Sequence, residues 1–214
     1  MSADTSLVVA LLGAESTGKT TLAVQLADQL QRKGLSIAVV PEALRDFCEL
    51  HGRTPFVHEQ ADLAREQTRR IAQARASHQV VLADTTALMI AVYSDYIFND
   101  PSLYAEAVAA HQSVNLTLLT SLDLPWVADG VMRDGEHVRA PVDALIRQTL
   151  STAGLSHSVV QGQGDARWQS ALATVDHALL VAQANASGQP RKPWRWVCEK
   201  CDDGDCEQHW LPGA

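Results

Sequence analysis

Short apolar runs alternate with longer stretches of helical period along most of the chain, and that alternation predicts its elements. Residues 7–12, 36–40, 79–83, 116–120 and 158–161 are short, apolar and often valine-rich, which suits strands buried on both faces of a parallel sheet. Leu22, Leu26 and Leu30 recur every fourth residue with Ala23 and Ala27 beside them, and Gly34 follows as a stop signal. Val142, Leu145, Ile146, Thr149 and Leu150 mark another helix, and Trp168, Leu172, Val175 and Leu179 a last one, each with one apolar stripe for a sheet. Residues 56–78 read as one long helix, and 87–113 as one or two, broken at Asn99-Asp100-Pro101. Five strands alternating with helices predict an α/β three-layer sandwich around a mainly parallel five-stranded sheet. From about Asn185 the chain turns linker-like, so the expected division is a domain over 1–186 and a short Cys-rich tail over 187–214.

Composition narrows the class. A chain of 214 residues allows one good-sized domain with a small appendage, and 46% apolar with 20% charged residues excludes disorder and coiled coil. A net charge of −8 opposes non-specific binding to nucleic acid or to anionic lipid. The first apolar run is only six residues long, too short for a signal sequence or a membrane span, so a cytoplasmic protein is expected.

The strongest chemical signal directly follows the first predicted strand. Gly13-Ala14-Glu15-Ser16-Thr17-Gly18-Lys19-Thr20 matches G-x-x-x-x-G-K-[ST], with Thr21 beside it and a helix to follow. Two glycines let successive N–H groups turn inward as an anion nest, and the helix adds its positive end. In that arrangement Lys19 bridges the β- and γ-phosphates of ATP while the Thr20 hydroxyl ligates Mg²⁺. Asp84, at the end of the third apolar run, is the candidate second metal-side carboxylate; the competing reading is an N-cap of the next helix.

Two further segments follow strand ends. Glu42, with Arg45 three residues on, stands after Pro41 as a candidate base for an acceptor hydroxyl, or else as a first-turn glutamate with a solvated partner. Residues 124–135 read as a lid that carries Trp126, Asp129 and Arg133, and Arg133 or Arg139 would close on the transferring phosphoryl group. Gly162, after the fifth strand, is either a close-approach point for the nucleotide base or a simple turn.

Taken together, the loop Gly13–Thr20, Pro41-Glu42-Ala-Leu-Arg45, Asp84-Thr-Thr86 and Pro125-Trp126-Val-Ala-Asp129-Gly130 resemble the nicotinamide riboside kinase domain of NadR-type proteins and their stand-alone AAA-type relatives, over roughly residues 5–183. The resemblance implies ATP-dependent phosphoryl transfer to the 5′-hydroxyl of nicotinamide riboside, giving nicotinamide mononucleotide for NAD synthesis. It also implies that Gly13 to Thr20 hold ATP·Mg²⁺, that Asp84 lies by the metal or the ribose, and that Gln67, Trp126 and Asp129 belong to the acceptor side. The alternatives are a kinase for another nucleoside or small alcohol, and a nucleotide-gated regulatory ATPase. The chain departs from the family in lacking the preceding adenylyltransferase domain, in a longer Gly130-Val-Met-Arg133 spacing, and in its tail.

That tail carries Cys198-x-x-Cys201 and Cys206-x-x-His209, three thiolates and an imidazole that could close a tetrahedral structural Zn²⁺ site. The competing reading is an acidic tail with idle reduced thiols. Trp194, Trp196 and Trp210 suggest docking on the kinase domain or on a protein partner.

Overall fold

The computed structural model of the chain describes residues 6–127 and 135–186. Five parallel strands form one sheet: β1 (Leu7–Leu12), β2 (Ile37–Val40), β3 (Val80–Asp84), β4 (Leu116–Thr120) and β5 (Ser158–Val160), in the spatial order β2-β3-β1-β4-β5. The expected α/β sandwich is therefore present, with every strand predicted from its apolar run to within a residue or two. The helices are α1 (Lys19–Arg32), α2 (Ala43–His51), α3 (Gln60–Arg75), α4 (Ala87–Phe98), α5 (Tyr104–His111), α6 (Arg139–Thr152) and α7 (Gly164–Ala186).

Alternation along β1 divides the core. Leu7, Val9 and Leu11 face α1 and α7, whereas Val8, Ala10 and Leu12 face the layer that holds α3, α4 and α6. Only the β1-to-β2 connection moves toward the β2 edge, and its helix α1 lies on the first face; the later crossovers move the other way and use the second. That division is what right-handed crossovers require. Helix α4 is buried on nearly all sides, Ala87 to Val92 and Ser94 included, because α3, α5 and α6 surround it.

The structure refines the helical expectations in three places. Residues 56–78 are not one helix: a single 3-10 turn at Val57–Glu59 precedes α3, because the Glu59 carboxylate accepts from the Phe56 N–H at 2.8 Å and from Arg53 at 2.7 and 2.8 Å. Helix α2 bears out the helical alternative offered for the Glu42 segment, with Ala43 and Cys48 buried and Leu44 and Phe47 packed against the core. In α7 the expected residues Trp168, Leu172, Val175 and Leu179 pack on the core, and Arg167 and Ala171 join them as buried positions, so an arginine also points inward. The break between α4 and α5 falls as predicted, with Asn99 in the left-handed conformation (φ 53°). The tail 187–214 lies outside the described residues.

Beneath α5, His111 is a buried polar group with both ring nitrogens used, Nδ1 on the Thr86 hydroxyl at 3.1 Å and Nε2 on the Thr117 hydroxyl at 2.8 Å. Burial disfavours its charged form and pushes its pKa down to about 4. An unfolded chain takes up this proton near pH 6.5, so between pH 6.5 and 4 the unfolded state binds more protons and stability falls with pH. At ~1.4 kcal/mol per unit, the loss expected from this group is roughly 3 kcal/mol across that window, and it is absent above it. Urea unfolding at pH 7 and pH 4.5 should show a steeper loss for wild type than for His111→Gln; equal slopes would assign the acid sensitivity elsewhere.

Candidate active site

All five strands end at one edge, and the segments that follow them converge there. The loop after β1 has three left-handed or glycine-only residues, Gly13 (φ 149°), Ser16 (φ 55°) and Gly18 (φ 76°), with Gly18 as the N-cap of α1. No side chain caps α1, so its first amides face the loop's own concavity, the arrangement in which helix N-termini receive anions. Gly13 has a second reason to lack a side chain: a Cβ there would lie 2.0 Å from the Thr120 hydroxyl at the end of β4. Thr120 in turn lies 3.0 Å from the Leu12 carbonyl and donates to the Thr17 hydroxyl at 2.7 Å, which donates to the Ala14 carbonyl at 2.8 Å. The loop is thus held from beneath by threonines.

Lys19 folds back over this loop and donates to the Gly13 and Ala14 carbonyls at 2.8 and 2.9 Å. The next residue, Thr20, donates to Asp84 Oδ2 at 2.5 Å, while Asp84 Oδ1 is buried with no hydrogen-bond partner. A buried carboxylate oxygen without a partner is costly, and two adjacent hard oxygen ligands beside a phosphate cradle form the donor set that suits Mg²⁺. Asp84 is also not needed as a cap, since the Thr86 hydroxyl accepts from Leu88 N–H at the start of α4. Thr21 is exposed on the first turn of α1 and Glu15 is half-buried in the loop.

Between Asp84 and Thr86 sits Thr85, fully buried and left-handed at φ 79°. For a β-branched residue this conformation costs on the order of 1–3 kcal/mol. Its N–H remains on the Leu11 carbonyl at 3.2 Å, which extends the β1 ladder by one residue.

Glu42 is the extended residue before α2 and makes no side-chain cap bond to it. It is half-buried, and Arg45 is exposed one turn along. Glu42 is close enough to Cys48 that its charge, after burial itself, raises the thiol's pKa, with Arg53 opposing. Gln67, expected on the acceptor side, is completely buried: Oε1 accepts from Ala43 N–H at 2.7 Å, and Nε2 donates to the Pro41 and Thr85 carbonyls, both at 3.3 Å.

On the β4 side, the Ser16 hydroxyl donates to the Val127 carbonyl at 3.0 Å and accepts from its N–H at 2.9 Å, tying the loop to the chain that leaves β4. Trp126 is half-buried with its indole nitrogen covered. Arg139 is buried at the start of α6 and donates to the Leu124 carbonyl at 2.8 Å. Asp129 and Arg133 lie outside the described residues, as do Cys198, Cys201, Cys206 and His209.

Two residues were missed in the sequence. Arg167, buried on α7, donates to the Thr17 carbonyl of the loop at 2.8 Å, to Asp123 at 2.8 Å and to the Gly162 carbonyl at 3.0 Å. Asp123 also accepts from Gly162 N–H at 2.5 Å. Burial works to raise the Asp123 carboxyl, but bonds from Ser121, Gly162 and Arg167 outweigh it and hold it below its usual value. The signal that could have found this group is an arginine four and eight residues before Ala171 and Val175, on the inward stripe of α7.

The comparisons agree on this fold. A family model described as an AAA domain matches residues 8–167, about three quarters of the chain. A crystal structure of NadR protein in complex with NR superposes with a TM-score of 0.67 at 20% identity, covering 82% of this chain and 51% of that one. The same protein with NAD and AMP-PNP gives 0.63 at 20% identity, covering 82% and 50%. Thymidylate kinase from Ehrlichia chaffeensis gives 0.58 at 12% identity, covering 81% and 98%. The chain thus spans about half the length of the NadR chains, and no curated protein sequence matches it.

The Gly13 contact yields a test. Gly13→Ala should abolish nucleotide binding measured by calorimetry and lower the melting temperature by several degrees, because either Thr120 or the loop must move. An alanine variant that binds ATP as wild type does would show that the threonine support is slack.

Proposed function

We propose that this chain, which belongs to the AAA domain family, is an ATP-dependent small-molecule kinase whose acceptor is the 5′-hydroxyl of nicotinamide riboside. The observation that carries the reading is the Thr20–Asp84 contact, with its unpartnered carboxylate oxygen, set directly against a phosphate-binding loop. Thr20 and Asp84 would hold Mg²⁺, whose chemistry is to neutralise the charge of the triphosphate. The loop amides and the start of α1 bind the β- and γ-phosphates, and Lys19 exchanges the Gly13 and Ala14 carbonyls for phosphoryl oxygens.

Glu42, after the strand next to Asp84's own, takes the proton from the acceptor hydroxyl as its oxygen bonds to the γ-phosphorus and ADP leaves. Arg167 and Asp123 keep the loop and the Gly162 turn in one arrangement, so the cradle needs little reorganisation when nucleotide enters. Trp126, Asp129 and Arg133 complete the acceptor and lid side in this reading. The fold shared with structures of NadR bound to NR and to AMP-PNP supports this acceptor, and the likeness to thymidylate kinase supports a kinase in general.

The test is ATP consumption with Mg²⁺, with and without nicotinamide riboside, reading product mass. Nicotinamide mononucleotide formed at enzyme-like rates supports the reading; acceptor-independent hydrolysis alone favours a nucleotide-gated regulator, and turnover with a different nucleoside reassigns the acceptor. In the active protein Lys19→Ala should remove transfer, and Glu42→Gln should lower kcat by ~10² or more with little change in the KM for ATP. Wild-type kcat in Glu42→Gln would remove that residue from the role of base.

A further inference from the structure

We infer that Gln67 is a positioning residue that sets the candidate base against the metal-side carboxylate, without touching substrate. The inference rests on the reading of Glu42 above.

Helix α3 turns Gln60, Leu63, Ala64, Gln67 and Ile71 toward the core; Gln60 sits at its first residue on the Pro55 carbonyl, and Gln67 is the carboxamide set in the middle of the stripe, between Ala64 and Ile71. A buried amide is tolerated there only when its donors and acceptor are matched, and all three of its partners are backbone atoms. Two of them, the Pro41 carbonyl and the Ala43 N–H, flank Glu42. The third, the Thr85 carbonyl, directly follows Asp84. One rigid planar group therefore fixes two loops that leave neighbouring strands, at the points where the β2–β3 ladder, which pairs Val40 with Ala83, has ended.

Local backbone at both ends fits this role. Ala43 opens α2, and its amide is one of the four helix-start donors that have no partner within the helix. Glu42 occupies the cap position and its side chain makes no cap bond; Gln67 supplies the acceptor for Ala43 from a different helix. At the other end, the left-handed Thr85 keeps its N–H on β1 while its carbonyl turns to Gln67. The strain at Thr85 thus has a partner that holds it in place. Placement of a reacting group to within an ångström governs rate more than binding, so the effect of Gln67 should fall on kcat.

Gln67→Met keeps the length and removes all three bonds. With nicotinamide riboside and MgATP, kcat should drop about 10-fold or more while the KM for ATP stays within about twofold. Placed on Glu42→Gln, the same change should cost almost nothing further, because its effect passes through Glu42. Amide hydrogen exchange should quicken at residues 41–43 and 84–86 together. Gln67→Glu, when ionised, keeps an acceptor for Ala43 but has no donor for the Pro41 and Thr85 carbonyls, so residues 84–86 should loosen more than 41–43; it serves if the methionine variant does not fold.

Wild-type kcat in both variants, a loss that multiplies fully with Glu42→Gln, or quickened exchange confined to residues 41–43 would each overturn the proposal. If wild type transfers nothing to nicotinamide riboside, the kinase reading fails on its own account, and exchange at the two segments still decides this one.

Discussion

Parallel pairing is the constraint from which the rest of the molecule follows. Strands that run the same way end at the same edge, and β1, between β3 and β4, brings its own continuation between theirs. The register that sets Leu11 beside Asp84 gives the phosphate loop its carboxylate. The β4 pairing places Thr120 where Gly13 can have no side chain. Side chains separated by many tens of residues thus meet within a few ångströms, and no local preference of the chain needs to know about the others.

The polar groups of this edge are held from below and from the flanks more than by one another. Threonines at 17 and 120 support the loop, Arg167 fastens it to α7, and Gln67 reaches from α3 to the two loops on the far side. Each of these side chains is buried, and nearly every partner named for them is a backbone atom or another buried polar group. A site built in this way is pre-organised, which is the condition under which fixed dipoles stabilise charge that develops during a reaction.

How much of this could be read beforehand depends on whether a residue's role is local. The phosphate loop was legible because its glycines, lysine and threonine act through their own backbone and spacing. Asp84 was legible because a buried apolar run ends on it. Arg167 was not, since the expected stripe ran through Trp168 and Leu172, and an arginine on a helix is by default assigned to solvent. Gln67 was noticed only through a family likeness and placed against substrate; its actual partners are carbonyls and an amide set by the conformations of Pro41, Ala43 and Thr85, which no side-chain pattern records. Helix α2 entered only as the alternative reading of Glu42, because at nine residues it is short, although Leu44, Phe47 and Cys48 do recur on one face. The 3-10 turn before α3 escaped because it depends on how one carboxylate is shared with Arg53.

Helix α4 has a consequence for how the chain is made. Its residues Ala87 to Val92 are apolar on every side, and the last of the helices that cover them, α6, begins at Arg139. A ribosome adds ~5–20 residues each second, so the roughly 40 residues between the end of α4 and the start of α6 take about 2–8 s to appear. For that interval α3 and the first three strands are already made and α5 is emerging, but the side of α4 that α6 will cover stays open to water. Synthesis of this protein therefore includes a few seconds in which one apolar side of residues 87–92 is exposed to aggregation or to a holdase that recognises apolar segments.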